Sequence, residues 1–146
     1  MLRSVLGAVI GYAVIALLIG VLLFGAYFAL GAERSFQPRS YEPSTLWLGV
    51  MLAVDFVGAL CGGFVARKVG TGGGVKALVA LYLVLSLVLF GWALASDEGP
   101  VERSGDVTAI EAMQTARTPL WAMAAGLGVG LLGILVGAGK AGSRKR

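Results

Sequence analysis

Histidine is absent from the chain, and cysteine occurs once, at Cys61. Without histidine the chain lacks the commonest general base and the usual ligand of zinc and haem. A single cysteine allows no disulfide bond within the chain, so cysteine usage says nothing about the redox compartment. The sequence also offers no grouping of metal-ligating residues. These absences predict a protein that is not an enzyme and that holds no metal ion or other cofactor.

Charged residues are scarce as well. They make up 14% of the chain, against 58% hydrophobic residues, whereas a soluble domain carries about 25% charged residues. The mean hydropathy is +0.86. Because so few polar side chains could not cover a water-facing surface, the composition predicts an integral membrane protein.

Four segments are long and apolar enough to cross a membrane as helices. A hydrocarbon core about 30 Å thick needs about 20 apolar residues in a helix, and a helix satisfies its own backbone hydrogen bonds in lipid. The segments are approximately residues 5–30, 46–66, 77–96 and 120–138. The sequence therefore predicts one all-α domain of four transmembrane helices in two antiparallel hairpins.

Basic residues collect on one side of this predicted arrangement, and no acidic residue accompanies them: Arg3, Arg67, Lys68, Lys76, Lys140, Arg144, Lys145 and Arg146. The positive-inside rule then places both termini in the cytoplasm, together with the glycine-rich residues 67–76, which we expect to form a flexible turn. The net charge of +4 is thus a topology signal, and we predict no binding of nucleic acid.

A weak internal repeat accompanies the two predicted hairpins. "LLFGAYFAL" at 22–30 resembles "LVLFGWALA" at 87–95, and "TLW" at 45–47 resembles "PLW" at 119–121. Two copies of one hairpin with the same orientation would be related by a pseudo-twofold axis along the membrane normal. Chance similarity is the alternative, since membrane helices share a small set of residue types.

Small residues recur at helical spacing in three of the four segments. In lipid, such residues let helix backbones approach closely, so we predict helix-packing faces at these positions: Gly7, Gly11, Gly58, Gly62, Gly126, Gly130, Gly133 and Gly137. Contact within one subunit and contact between subunits both fit this pattern.

A single carboxylate, Asp55, lies within the apolar segments. Its spacing from Gly58 predicts that it lies on the small-residue face, because an acid at a helix centre costs about 2.5–3.5 kcal/mol on insertion and normally faces protein or water. No lysine or arginine lies inside any segment, so we expect its neutral form to be populated near neutral pH. The best candidate partners are Ser86 and Tyr82 at matching depth, followed by Tyr12.

The second polar connection contains a possible short helix at about residues 107–116. Thr108 and Glu111 have the spacing of a capping box, and Val107, Ile110 and Met113 recur every three residues. We expect this helix to lie on the outer membrane surface, although it could equally be a docking element for a partner.

The second segment ends in a "GGxxA" motif followed by basic residues: Gly62, Gly63, Ala66, Arg67 and Lys68. With the layout of the whole chain, this motif resembles small, uncharacterised four-span proteins of bacterial plasma membranes. The resemblance implies a multi-pass protein of the bacterial plasma membrane and no known activity.

Two functions remain open from the sequence. The leading hypothesis is a structural or accessory subunit in the lipid bilayer, which packs through its glycine faces into a homo-oligomer or a larger membrane complex. The alternative is a small proton-coupled transporter or ion channel that uses Asp55, with no identifiable small-molecule substrate. A polar cavity that reaches Asp55 would favour the alternative, and a dry, fully packed Asp55 would favour the accessory subunit.

Overall fold

The computed structural model describes residues 1–95, 102, 108, 110–111, 116 and 118–143. These residues form three helices, α1 (Leu2–Ser35), α2 (Thr45–Ala95) and α3 (Leu120–Ser143). Beyond two isolated bridge pairs they contain no β-structure. All three helices are long and apolar enough to cross a membrane, so the chain is an all-helical membrane protein, as its composition predicts.

The prediction of four helices in two hairpins is wrong. The predicted segments 46–66 and 77–96 both belong to α2, which runs through 51 residues. Residues 67–76, expected to form a flexible turn, are helical except at Thr71, where φ is 57° and ψ is −155°. No separate loop joins the two predicted segments, and the described residues form three helices instead of the predicted four.

The chain bends sharply at Thr71, the single non-helical residue of α2. Asp55 and Tyr82 would lie about 40 Å apart along a straight helix, yet both line the same cavity. The chain must therefore reverse direction at Thr71. We call residues 45–70 the first arm of α2 and residues 72–95 the second arm, and the two arms lie side by side.

Glycines allow this bend to be tight. A Cβ atom at Gly70 would lie 2.8 Å from the carbonyl oxygen of Arg3, and one at Gly74 would lie 2.7 Å from the carbonyl oxygen of Ala66. Real side chains do not fit at such distances, so these positions let α1 and both arms approach through their backbones. Glycine is a weak helix former, which is why the sequence suggests a loop; here close packing keeps the segment helical.

The bend, the start of α1 and the end of α3 meet at one end of the molecule. Gly70 contacts Arg3, and a Cβ atom at Gly142 would lie 3.3 Å from the guanidinium group of Arg67. We call this the basic end, because these parts of the chain carry Arg3, Arg67, Lys68, Lys76 and Lys140. The end of α1 and the starts of α2 and α3 lie at the opposite end.

The buried residues form two clusters, one toward the basic end and one at the opposite end. Helix α2 packs against α1 and against α3, while the described residues of α1 and α3 do not pack on each other. The cluster toward the basic end consists of small or aliphatic residues: Ala8, Ile15, Ala59, Ala66, Leu78 and Ile134. The cluster at the opposite end is mainly aromatic: Tyr27, Ala32, Phe36 and Trp47. Leu78 and Ile134 are fully buried.

The predicted glycine faces pack within this one chain. Gly7 meets Gly70, and Gly11 meets the carbonyl oxygen of Gly62, both between α1 and the first arm. Gly133 in α3 lies against Ala59, where a Cβ atom would stand 2.8 Å from the Ala59 Cβ atom. The remaining positions also meet other helices: Gly58 contacts Ile15 and Ile19, Gly126 contacts Asp55, Gly130 contacts Tyr82, and Gly137 contacts Leu60 and Phe64.

The connection between α1 and α2 is ordered by hydrogen bonds at the opposite end. The Ser44 hydroxyl donates to the carbonyl oxygen of Arg34 and accepts a bond from the Trp47 amide at 3.1 Å, which caps α2. The Trp47 ring packs edge-on against Tyr27, with centroids 6.1 Å apart. This connection fixes where the first arm begins beside α1.

Most of the predicted helix at 107–116 lies outside the described residues. Of its described positions, Ile110 and Glu111 are helical, and the Glu111 amide donates to the Thr108 hydroxyl at 3.3 Å. The surface helix therefore stays a prediction.

Candidate functional site

A cavity of about 440 Å³ lies between the two arms of α2 and the first half of α3. Its volume falls in the range of about 300–1,000 Å³ that is typical of ligand pockets. Most of its lining is aliphatic or aromatic, with a few polar side chains: Leu48, Met51, Leu52, Asp55, Tyr82, Ser86, Leu87, Leu89, Phe90, Thr118, Ala122, Met123, Ala124, Gly126 and Leu127.

Three of the four predicted polar residues line this cavity together. Asp55 comes from the first arm, and Tyr82 and Ser86 come from the second arm. The Tyr82 hydroxyl donates to the carbonyl oxygen of Gly126 at 3.4 Å and lies near the Ser86 hydroxyl. Tyr12 does not line the cavity; it is half-buried and packs against the core. The bend at Thr71 brings the three cavity residues to one depth.

The carboxyl group of Asp55 faces α3. A Cβ atom at Gly126 would lie 3.1 Å from the Asp55 Oδ2 atom, so this glycine leaves space for the carboxylate. The sequence places Asp55 on the same face as Gly58, yet Gly58 contacts Ile15 and Ile19 of α1. Packed helices cross at an angle, and one face of α2 therefore meets different neighbours at different depths.

Asp55 has no partner among the residues that the structure describes. None of them donates a hydrogen bond to its carboxyl group, and none forms an ion pair with it. None of the described residues that line the cavity is a lysine or an arginine. A purely structural role for Asp55 predicts a hydrogen bond to it from Ser86 or Tyr82. The structure shows neither bond, and the Tyr82 hydroxyl donates to the Gly126 carbonyl oxygen instead.

The cavity is closed toward the basic end. In the first arm the buried Ala59 and Ala66 follow Asp55 toward that end, and in the second arm the fully buried Leu78 precedes Tyr82. In α3 the fully buried Ile134 follows the cavity residues. Buried core residues from all three of these segments thus lie between Asp55 and the basic end.

The cavity opens on the other side. Leu48, Phe90 and Thr118 carry the lining toward the opposite end of the molecule. Among the lining residues, Leu87 and Leu89 are each 61% exposed, and Ala124 is exposed as well. These residues belong to the second arm and α3, so the cavity is open between them, on a surface that faces lipid when the helices span a membrane.

The described residues that line the cavity offer few ligands for a metal ion. The described part of the chain contains no group of three or more histidine, cysteine or acidic side chains. The described lining residues supply one carboxylate, from Asp55, and three hydroxyl groups, from Tyr82, Ser86 and Thr118. Such a set suits a monovalent positive charge better than a calcium or magnesium ion, which takes about six or more oxygen ligands.

The sequence does not identify the cavity itself. It predicts Gly126 and Gly130 as packing positions, but a Cβ atom at Gly130 would collide with the Tyr82 hydroxyl. The two glycines therefore also make room for the polar side chains. Gly126 and Gly130 lie at about the same depth as Asp55. This match can be recognised only once the positions of the helices are known.

Comparison with family models, curated proteins and solved structures finds no match to the chain.

Proposed function

We propose that the chain is a small membrane carrier that binds a cation at Asp55. The observation that supports this proposal is the cavity that ends at Asp55, near the middle of the first arm of α2, whose carboxyl group has no partner among the described residues. An ionisable residue at this depth is costly to insert, and in membrane proteins such residues mark ion and substrate pathways. Asp55 would carry the exchangeable charge, and Tyr82 and Ser86 would supply hydroxyl groups beside it.

A carrier fits the geometry better than an open channel. The cavity reaches Asp55 from one side only, and the packed residues Ala66, Leu78 and Ile134 lie beyond it. A cation bound at Asp55 could leave toward the basic end only if this core rearranged. Alternating access of that kind is the defining step of carriers.

The accessory-subunit hypothesis receives less support. Its argument rests on glycine faces that are free to pack against a partner, and these glycines meet other helices of the same chain. Assembly into a homo-oligomer or a larger complex stays a prediction. Purification from native membranes in mild detergent, followed by identification of co-purifying proteins, is the measurement that addresses it.

The orientation follows from the charges. We propose that the basic end faces the cytoplasm of a bacterial cell, with both termini inside, since Arg3, Arg67 and Lys140 lie there and the positive-inside rule favours that side. The cavity then opens toward the outer half of the plasma membrane. A tag at the C-terminus that resists protease in intact cells and is digested in inverted vesicles would agree with this orientation; the reverse result would contradict it.

The carrier proposal is tested by currents in proteoliposomes on a solid-supported membrane. Rapid jumps in the concentration of H⁺, Na⁺, K⁺ or an organic ammonium ion should give a transient current with at least one of them. Asp55→Asn, which keeps the shape and removes the charge, should abolish it. Glu33→Gln removes an exposed carboxylate outside the cavity and should leave the current unchanged. No current with any cation, or an equal current from Asp55→Asn, would contradict the proposal.

A further inference from the structure

We propose that the ligand of this cavity is an organic amine that carries one positive charge on an apolar body. The inference rests on the proposed cation site at Asp55 and adds the chemical class of the ligand. The geometry points to this class because a single carboxylate lies at the closed end of a cavity whose other walls are almost entirely apolar.

The charge of the ligand follows from the lining. Asp55 is the only carboxylate among the described lining residues, and none of these is a lysine or arginine that would balance it. One protonated amine would neutralise it and donate the hydrogen bonds that the carboxyl group does not receive from the described residues. Charge-assisted bonds of this kind are the strong ones in sites of low dielectric.

The body of the ligand follows from the walls. Leu48, Met51 and Leu52 come from the first arm, and Met123 and Leu127 face them from α3. An inorganic ion would leave these walls without contact, whereas an alkyl or aryl body would bury them and itself away from water. Methionine side chains adapt to ligands of different shape, so Met51 and Met123 suit a family of amines rather than one compound.

The route to the site fits the same class. The opening lies between the second arm and α3, where Leu87, Leu89 and Ala124 are exposed. In a membrane this opening faces the acyl chains of the lipids. An amine with an apolar body partitions into the bilayer interface and can enter from there with its charged group directed toward Asp55.

The test compares an amine with its neutral counterpart. The full-length protein in nanodiscs of zwitterionic phosphatidylcholine is dialysed against radiolabelled 4-phenylbutylamine or 4-phenylbutanol, which share the apolar body and differ in charge. We expect saturable binding of one amine per chain and binding of the alcohol that is weaker by about tenfold or more, because the charge pair is lost. Asp55→Asn should bring the amine down to the affinity of the alcohol, and Glu33→Gln should leave it unchanged.

Equal binding of amine and alcohol would overturn the inference, because the cavity would then be an apolar pocket of the kind that a lipid acyl chain fills. Absence of saturable amine binding would overturn it too. Both comparisons use the unmodified chain, so they hold even where Asp55→Asn fails to fold. The amine proposal and the carrier proposal can fail separately. Currents with H⁺ or Na⁺ without amine binding would reject the amine as the ligand and leave the carrier proposal standing. Amine binding without any current would reject transport and leave the amine proposal standing.

Discussion

Replacement of Gly133 by alanine tests the packing that closes the cavity toward the basic end. A Cβ atom at Gly133 would lie 2.8 Å from the Ala59 Cβ atom and 2.8 Å from the carbonyl oxygen of Phe56. Ordinary contact begins near 3.4 Å, so α3 would have to move away from the first arm. The Phe56 carbonyl belongs to a helix backbone and cannot rotate aside, which makes this a displacement of whole helices.

The magnitude follows from two opposing terms. Alanine is a better helix former than glycine by about 0.5–1 kcal/mol. Overpacking in a close-packed interior costs about 1–3 kcal/mol. A Cβ atom at Gly128, on the same helix, would meet no other atom within 4 Å, so Gly128→Ala has only the favourable term. The helix-propensity term is common to both variants and cancels, so we expect the free energy of unfolding of Gly133→Ala to be about 1–3 kcal/mol below that of Gly128→Ala.

Unfolding with sodium dodecyl sulfate in mixed micelles, followed by tryptophan fluorescence, measures this difference. Gly128→Ala corrects for the intrinsic effect of alanine within one helix and one lipid-like environment. If Gly133→Ala is as stable as Gly128→Ala, the close contact between α3 and the first arm is refuted, and with it the closed end of the cavity.

Three further changes probe the bend, the polar cluster and the opposite end. Thr71→Gly removes a β-branched side chain from a positive φ of 57° and should raise the free energy of unfolding by about 1 kcal/mol in the same assay, since strain of about 1–3 kcal/mol is partly offset by glycine entropy. Gly130→Ala forces the Tyr82 hydroxyl away and should weaken 4-phenylbutylamine binding about tenfold, while Gly128→Ala leaves it unchanged in equilibrium dialysis. Ser35→Ala deletes the bond from a fully buried hydroxyl to the Gly31 carbonyl, 2.8 Å long, and should cost about 1 kcal/mol of stability. An unchanged value in any of these three measurements contradicts the corresponding contact.

The membrane class and the small-residue positions could be read from the sequence because each rests on local composition. Low charge and long apolar runs predict helices in lipid, and three described helices have that character. Glycines at helical spacing predict close approach, as seen where Gly11 meets the Gly62 carbonyl oxygen. Such features need no knowledge of how the helices are arranged.

The helix count and the cavity could not be read in the same way. The run from Gly70 to Gly74 has the composition of a flexible turn, and it stays helical on both sides of Thr71 because neighbouring backbones fill the space beside it. Asp55 could be matched in depth to Tyr82 and Ser86, but its neighbour in α3 depends on the angles at which the helices cross. Long-range packing decides both features.

Reaction of Asp55 with a hydrophobic carbodiimide tests most directly the claim that this carboxyl group is accessible and free to bind a cation. Carbodiimides modify protonated carboxyl groups that they can reach from the bilayer, and mass spectrometry of the purified chain locates the adduct. The cavity predicts an adduct at Asp55 in native membranes, lost in Asp55→Asn and suppressed by N,N-dimethyl-4-phenylbutylamine, a tertiary amine that cannot form an amide with the activated carboxyl group, but not by 4-phenylbutanol. An unmodified Asp55, or an adduct that forms equally fast with and without the amine, would contradict the account.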